Sequence, residues 1–189
     1  MTASGLPTAE TILGALLRPP VPRTTNPSDE ELAVIMQPIL ALHRSNRDQW
    51  DREDDARRDQ ADAIMVAAAK RDIDQLNGAR HGYIEAIDRA IAGAIRPCED
   101  APLVTESPGM AIDRLSVLVI RLASTEARVA AGTIEAGLYT ARLPQLRRQL
   151  EALEEAIATL LDDLAKGTRR FLAHESLKLY GPEDSGRAG

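Results

Sequence analysis

Six side chains able to exchange protons, hydrogen-bond or stack fall on one face of a single stretch: His43, Asn46, Trp50, Glu53, Asp54 and Arg57. At about 100° per residue in a helix they share less than a third of its circumference. Upstream, Leu32, Ile35, Ile39 and Leu42 set the same face as a core stripe, with His43 beside Leu42. The stripe therefore turns polar halfway along. A second stretch does the same. Ile73, Leu76, Ile84, Ile87, Ile91 and Ile95 define an inward face that Arg80 interrupts, flanked by Lys70, Asp74, Asn77, His81, Glu85 and Asp88. An unpaired buried charge costs several kcal/mol or more. These groups must pair with each other or face a cavity that holds water or ligand.

The residue types suggest roles for such a cavity. His43 is the candidate acid/base, with a reference pKa of about 6.5. Glu53 and Asp74 are candidates to orient it or share the proton transfer. Lys70, Arg71 and Arg80 suit an anionic group such as phosphate or carboxylate. Asn46 and Asn77 add amides, and Trp50 offers a ring for a sugar or base, or simply packs. Asp113, Arg114 and Ser116, on a third helix, are placed to close the site. The competing reading is a satisfied polar network that fixes helix register. The chemical variety favours a pocket, because a register device usually needs one or two groups. Gly78 and Gly82 add a weaker sign that something approaches closely on their side, against plain loose packing.

Positioning these residues requires long helices. Hydrophobic residues make up 44% of the 189, aromatics only 3%, so the core is built from Leu, Ile, Val and Ala, which favours helix over sheet. Residues 9–18 read as a short helix. Pro19, Pro20, Pro22 and Pro27 make a helix-free linker. Ser28 with Glu31 forms a capping box for a helix running to about Arg58 through Pro38. A second helix spans about 60–96, ahead of Pro97. With the turn near residues 59–60, positions whose numbers add to about 120 face each other. His43 then lies level with Asn77, Asn46 with Asp74, and Trp50 with Lys70.

Ser107 caps a third helix at 108–131 with Pro108 at its first position. That helix is apolar nearly all round, so it should be central. Its start, Glu106 to Gly109, is a candidate for presenting free N–H groups to an anion. Helices at 143–166 and 168–180 complete the reading. The former carries the stripe Leu146, Leu150, Leu153, Ile157, Leu160 and Leu164, expected to pack in the core, with a dimer or partner contact as the alternative. The fold expected is all-α, an antiparallel bundle of four main helices with additional short ones. Its domains are an N-terminal short helix and linker (1–27), the bundle (28–181) and a disordered tail (182–189).

Composition narrows the function. A net charge of −6 argues against nucleic acid as a partner. No run approaches the roughly 18 apolar residues of a membrane span, and no signal peptide is evident, so a cytoplasmic location is expected. Cys98 stands alone, so no intramolecular disulfide is expected, and zinc held by Cys/His clusters does not fit one cysteine and three scattered histidines. No Glu-x-x-His pair supports a di-iron centre, and no glycine-rich phosphate loop is present. Asp51-x-x-Asp54-Asp55 and Glu85-x-x-Asp88 loosely resemble a magnesium-binding arrangement, but the hairpin would hold them ~28 Å apart, at 1.5 Å per residue. No metal is therefore assigned, and any cofactor is unknown.

Four pieces of the chain resemble the bacterial family called domain of unknown function 4254. They are His43-x-x-Asn46 with Trp50-x-x-Glu53-Asp54; Lys70-Arg71-x-Ile73-Asp74-x-Leu76-Asn77-x-x-Arg80 with Ile84-Glu85-x-Ile87-Asp88; Glu106-x-Pro108-Gly109 with Asp113-Arg114-Leu115-Ser116; and Lys178-Leu179-Tyr180. Their order and spacing carry the likeness, from about residue 40 to 181. His81-Gly82 departs from the Asn-Asp that the family pattern leads one to expect. The resemblance implies a helical protein with no established activity, often encoded near glycosyltransferases of cell-surface polysaccharides. The function expected is therefore binding of a small anionic or sugar-phosphate-type ligand in the interhelical pocket, with an enzyme of glycan or nucleotide-sugar metabolism as its sharper form. The alternative is a helical accessory protein, a homodimer or a glycosyltransferase partner, whose polar cluster is purely structural.

Overall fold

The computed structural model describes residues 5–18, 27–56, 63–96, 98–132 and 136–175. Five helices follow in order: α1 (Ala9–Leu17), α2 (Pro27–Ala56), α3 (Ala63–Ala94), α4 (Pro108–Ala130) and α5 (Ala136–Lys166). The described chain contains no strand, only an isolated bridge between Leu103 and Arg170. It is an all-helical bundle of four long helices and one short one.

Local sequence explains the boundaries. Thr8 caps α1 by accepting from the Thr11 N–H at 3.1 Å. Ser107 caps α4, accepting from the Met110 N–H at 3.3 Å, with Pro108 filling a first-turn position that has no helical N–H to lose. Gly167, at φ +70°, ends α5 in the left-handed conformation that glycine adopts without strain. Its N–H returns to the Leu164 carbonyl, and that of Thr168 to Asp163. Pro38 and Pro144 both stay inside helices. α5 thus begins earlier than its leucine stripe alone indicates.

α4 is the central rod, packed by α1, α2, α3 and α5. Ile112, Leu115, Val119, Ile120 and Leu122 bury its flanks, as its nearly all-round apolar sequence dictates. The stripe Leu146, Leu150, Ile157 and Leu164 of α5 is buried within this same molecule. It packs in the core, with Leu153 and Leu160 partly buried against it. α2 and α3 run antiparallel: Arg52 pairs with Asp72, and Ile35 and Pro38 share a groove with Ala86, Arg89 and Ala90. This register lies about one turn from the expected one, which would have put residue 68 opposite Arg52.

The C-terminal part departs from expectation. Residues 168–175 are not a sixth helix but an extended segment lying along residues 98–104. The Val104 N–H donates to the Arg170 carbonyl at 2.9 Å, the Arg170 N–H to Pro102 at 3.1 Å, and the Arg170 Nε to the Ala101 carbonyl at 2.8 Å. Once Gly167 turns the chain, these bonds satisfy backbone groups that a short helix with few apolar anchors would leave to solvent. The Pro-rich linker after α1, the turn at 57–62 with Arg57, the Lys178-Leu179-Tyr180 piece and the tail at 182–189 lie outside the described residues.

Candidate functional site

The polar halves of the helices do meet, and the hub is Asp113 on α4. Asn46 Nδ2 donates to Asp113 Oδ1 at 2.9 Å and to Ser116 Oγ at 3.1 Å. Arg80 clasps the same carboxylate with two nitrogens, Nε to Oδ1 at 2.8 Å and Nη2 to Oδ2. His43 Nδ1 lies 2.9 Å from Ser116 Oγ. With Ser116 accepting from Asn46, its own proton is free to go to Nδ1, which suits a neutral imidazole. Each member is on the face its periodicity predicts, so α2, α3 and α4 each contribute one side of the cluster.

Burial sets its electrostatics. Desolvation, helped by the neighbouring Arg47 charge, pulls the His43 pKa down to about 4. His43 is therefore neutral at ordinary pH, a hydrogen-bonding member of the cluster rather than a base poised near 7. Asp113 has the opposite effect on Arg80: its hydrogen bonds raise the guanidinium's pKa against desolvation. Two parallel N–H···O bonds in the fork geometry make this the strongest link in the cluster.

Several expected members stand elsewhere. Lys70, Arg71 and Asp74 are exposed on α3 and form no hydrogen bond or ion pair with the cluster, because the one-turn shift carries the start of α3 past it. Asn77 is half-buried and outside it as well. Glu53 accepts from Gln49 at 3.2 Å, and its charge helps to raise the Arg80 pKa. Arg114 points outward to Glu106. Gly78 and Gly82 face open space, so nothing approaches them. The close approach falls at Gly109 instead, where a Cβ would sit 2.6 Å from the Ile84 carbonyl and 2.8 Å from Asp88 Oδ1.

That contact also disposes of the anion site expected at the start of α4. The fully buried Asp88 already occupies it, accepting from the Gly109 N–H at 2.7 Å and, through its other oxygen, from the His174 N–H at 2.8 Å. One carboxylate joins α3, the first turn of α4 and the C-terminal segment. His81 stacks on His174 beside this junction, ring centroids 5.2 Å apart.

The cluster itself has no room for a ligand; space opens beside it. α5 packs on α4 and α1 but comes within 8 Å of neither α2 nor α3 in backbone terms, among the described residues. A cleft therefore runs along α4. Its first part, about 550 Å³, is lined by Arg80, Glu106, Arg114 and Arg121 over an apolar floor of Val117 and Leu118. Its second part, about 570 Å³, holds Trp50, Arg128, Tyr139 and Arg142. The two share Arg121 and Gln149 in their linings and so adjoin along α4. His43 faces a different hollow, between α1, α2 and α4. The single interhelical pocket expected from the sequence is thus a closed cluster with separate spaces on either side.

Arg121 carries the signal that sequence reading undervalued. It follows Arg114 by two helical turns, and Arg128 follows it by two more, so the three share one face of α4. Glu106 balances Arg114, and Asp54 balances Arg128. Arg121 and Arg142 form no ion pair among the described residues.

No curated protein and no solved structure matches this chain. Residues 36–172 match the family described as protein of unknown function (DUF4254), a span that begins just before the polar stretch of α2 and ends in the C-terminal segment; the chain belongs to that family.

Proposed function

We propose that the protein binds a small phosphate-bearing ligand of the sugar-phosphate type in the cleft along α4. Arg80, Arg114 and Arg121 contact the anion, and the Asp113 cluster holds Arg80 in place. The observation that carries this reading is the convergence of arginines from two helices on one cleft, in a chain whose net charge is −6. A positive cleft on a negative protein concentrates anions locally. Guanidinium forks suit phosphate oxygens, and the apolar floor lowers the local dielectric around them. The cluster supports the site without entering it: Asp113 fixes the Arg80 fork, Asn46 holds Asp113, and Ser116, bonded to His43, holds Asn46.

Inorganic pyrophosphate, titrated calorimetrically at low and high salt, tests the reading. Binding is expected to weaken with salt, as for any exposed ion pair. Arg121→Ala should weaken it about tenfold or more, the equivalent of one charged hydrogen bond of roughly 1.5 kcal/mol. Absence of binding at millimolar pyrophosphate would overturn the proposal.

A further inference from the structure

We infer that the far end of this cleft recognises a nucleobase, so that the ligand is a nucleoside diphosphate or a derivative of one. The inference rests on the anion-binding reading and extends it by naming what the anion is attached to.

Three observations carry it. First, the cleft is longer than a phosphate group needs. Arg114 and Thr125 both line it, and eleven residues of helix span about 16 Å. Second, its contents change along that length. The Arg114 end offers cations above an apolar floor. The other end brings together Trp50, Tyr139, Gln145 and Gln149 with the hydroxyls of Ser124 and Thr125. Flat rings stack on bases, and side-chain amides, which both donate and accept, pair with base edges. An inorganic anion would use neither ring nor both amides. Third, one of the two rings at this end is already partnered. Arg128 lies over the Tyr139 ring, 5.4 Å from its centroid, and also reaches the Tyr139 hydroxyl at 3.1 Å and Asp54 at 3.2 Å. This braces Arg128 and leaves Trp50 as the ring not already covered by a cation. The indole N–H of Trp50 is buried without an acceptor among the described residues, so packing alone holds the ring. Between the two ends stands Arg121, placed where a diphosphate would join the nucleoside.

Trp50 is the only tryptophan, so its fluorescence reports its own surroundings, this end of the cleft and the adjoining hollow beside His43. The experiment titrates the full chain with uridine diphosphate, adenosine diphosphate and inorganic pyrophosphate, measuring heat and Trp50 emission in parallel. At least one nucleoside diphosphate is expected to bind about tenfold or more tightly than pyrophosphate and to change the emission, while pyrophosphate leaves it unchanged. Trp50→Leu should remove the advantage over pyrophosphate. If that variant does not fold, Gln149→Ala replaces it and is expected to reduce the advantage severalfold. Equal affinity for pyrophosphate and both nucleoside diphosphates would overturn this inference and leave the anion site standing. Preferential nucleotide binding that Trp50→Leu or Gln149→Ala does not alter would overturn it too, by placing the base elsewhere. Failure of all three ligands to bind would instead defeat the anion-binding reading itself.

Discussion

His43 ties the cluster to pH. Its pKa falls from 6.5 in the unfolded chain to about 4 in the folded one. Between those values the unfolded state binds the extra proton, so acid favours unfolding. The contribution is fully present above pH 6.5 and is lost as pH falls toward 4, on the order of 3 kcal/mol. Chemical denaturation of the wild type across that window should show the slope, and His43→Gln should flatten it. Asp113→Ala removes the acceptor of both Arg80 and Asn46. Losing one side of a buried pair costs about 3–5 kcal/mol, but Arg80 keeps 30% of its side chain in solvent. About 2–3 kcal/mol is therefore expected, and denaturant midpoints measure it. The sequence made these residues legible because each interrupts an apolar stripe. It did not reveal that His43, Asn46, Arg80, Asp113 and Ser116 bond to one another. Periodicity assigns a side chain to a face but gives no distance between faces.

At the level of elements, the first turn of α4 is the tightest joint. Gly109→Ala would drive a methyl group against the Ile84 backbone and the Asp88 carboxylate. Backbone cannot yield as a side chain does, so a loss at the upper end of the 1–3 kcal/mol typical of overpacking is expected, read from thermal melts. Truncation after Thr168 removes the N–H of His174 and the pairing of Arg170 with residues 101–104. Asp88 then keeps only Gly109, and the melting temperature should drop by several degrees. Helix existence and order were readable from caps, prolines and stripes. The sixth helix was not, because residues 168–180 show helix-compatible composition while their partner, the 98–104 loop, is distant in sequence. The one-turn shift of α2 against α3 has a similar origin. A displacement of two residues in the turn centre moves every opposed pair by a turn, and no stripe records it.

At the scale of the whole molecule, α4 organises everything else. Its central place followed from sequence alone, since a helix apolar on nearly all sides has to be surrounded. The cleft beside it did not. Its arginines come from α3, α4 and α5, and each looks like an ordinary surface charge on its own helix. Only the failure of α5 to reach α2 and α3 gathers them.

The Asp88 junction joins residues 88, 109 and 174, which are made at well-separated times. On a ribosome, α3 and α4 emerge long before His174, and domains form as their chain is released. Until then one oxygen of a fully desolvated carboxylate lacks its donor, and that end of the bundle stays loosely shut. Emergence of His174 thereby acts as the final fastening of that end of the bundle.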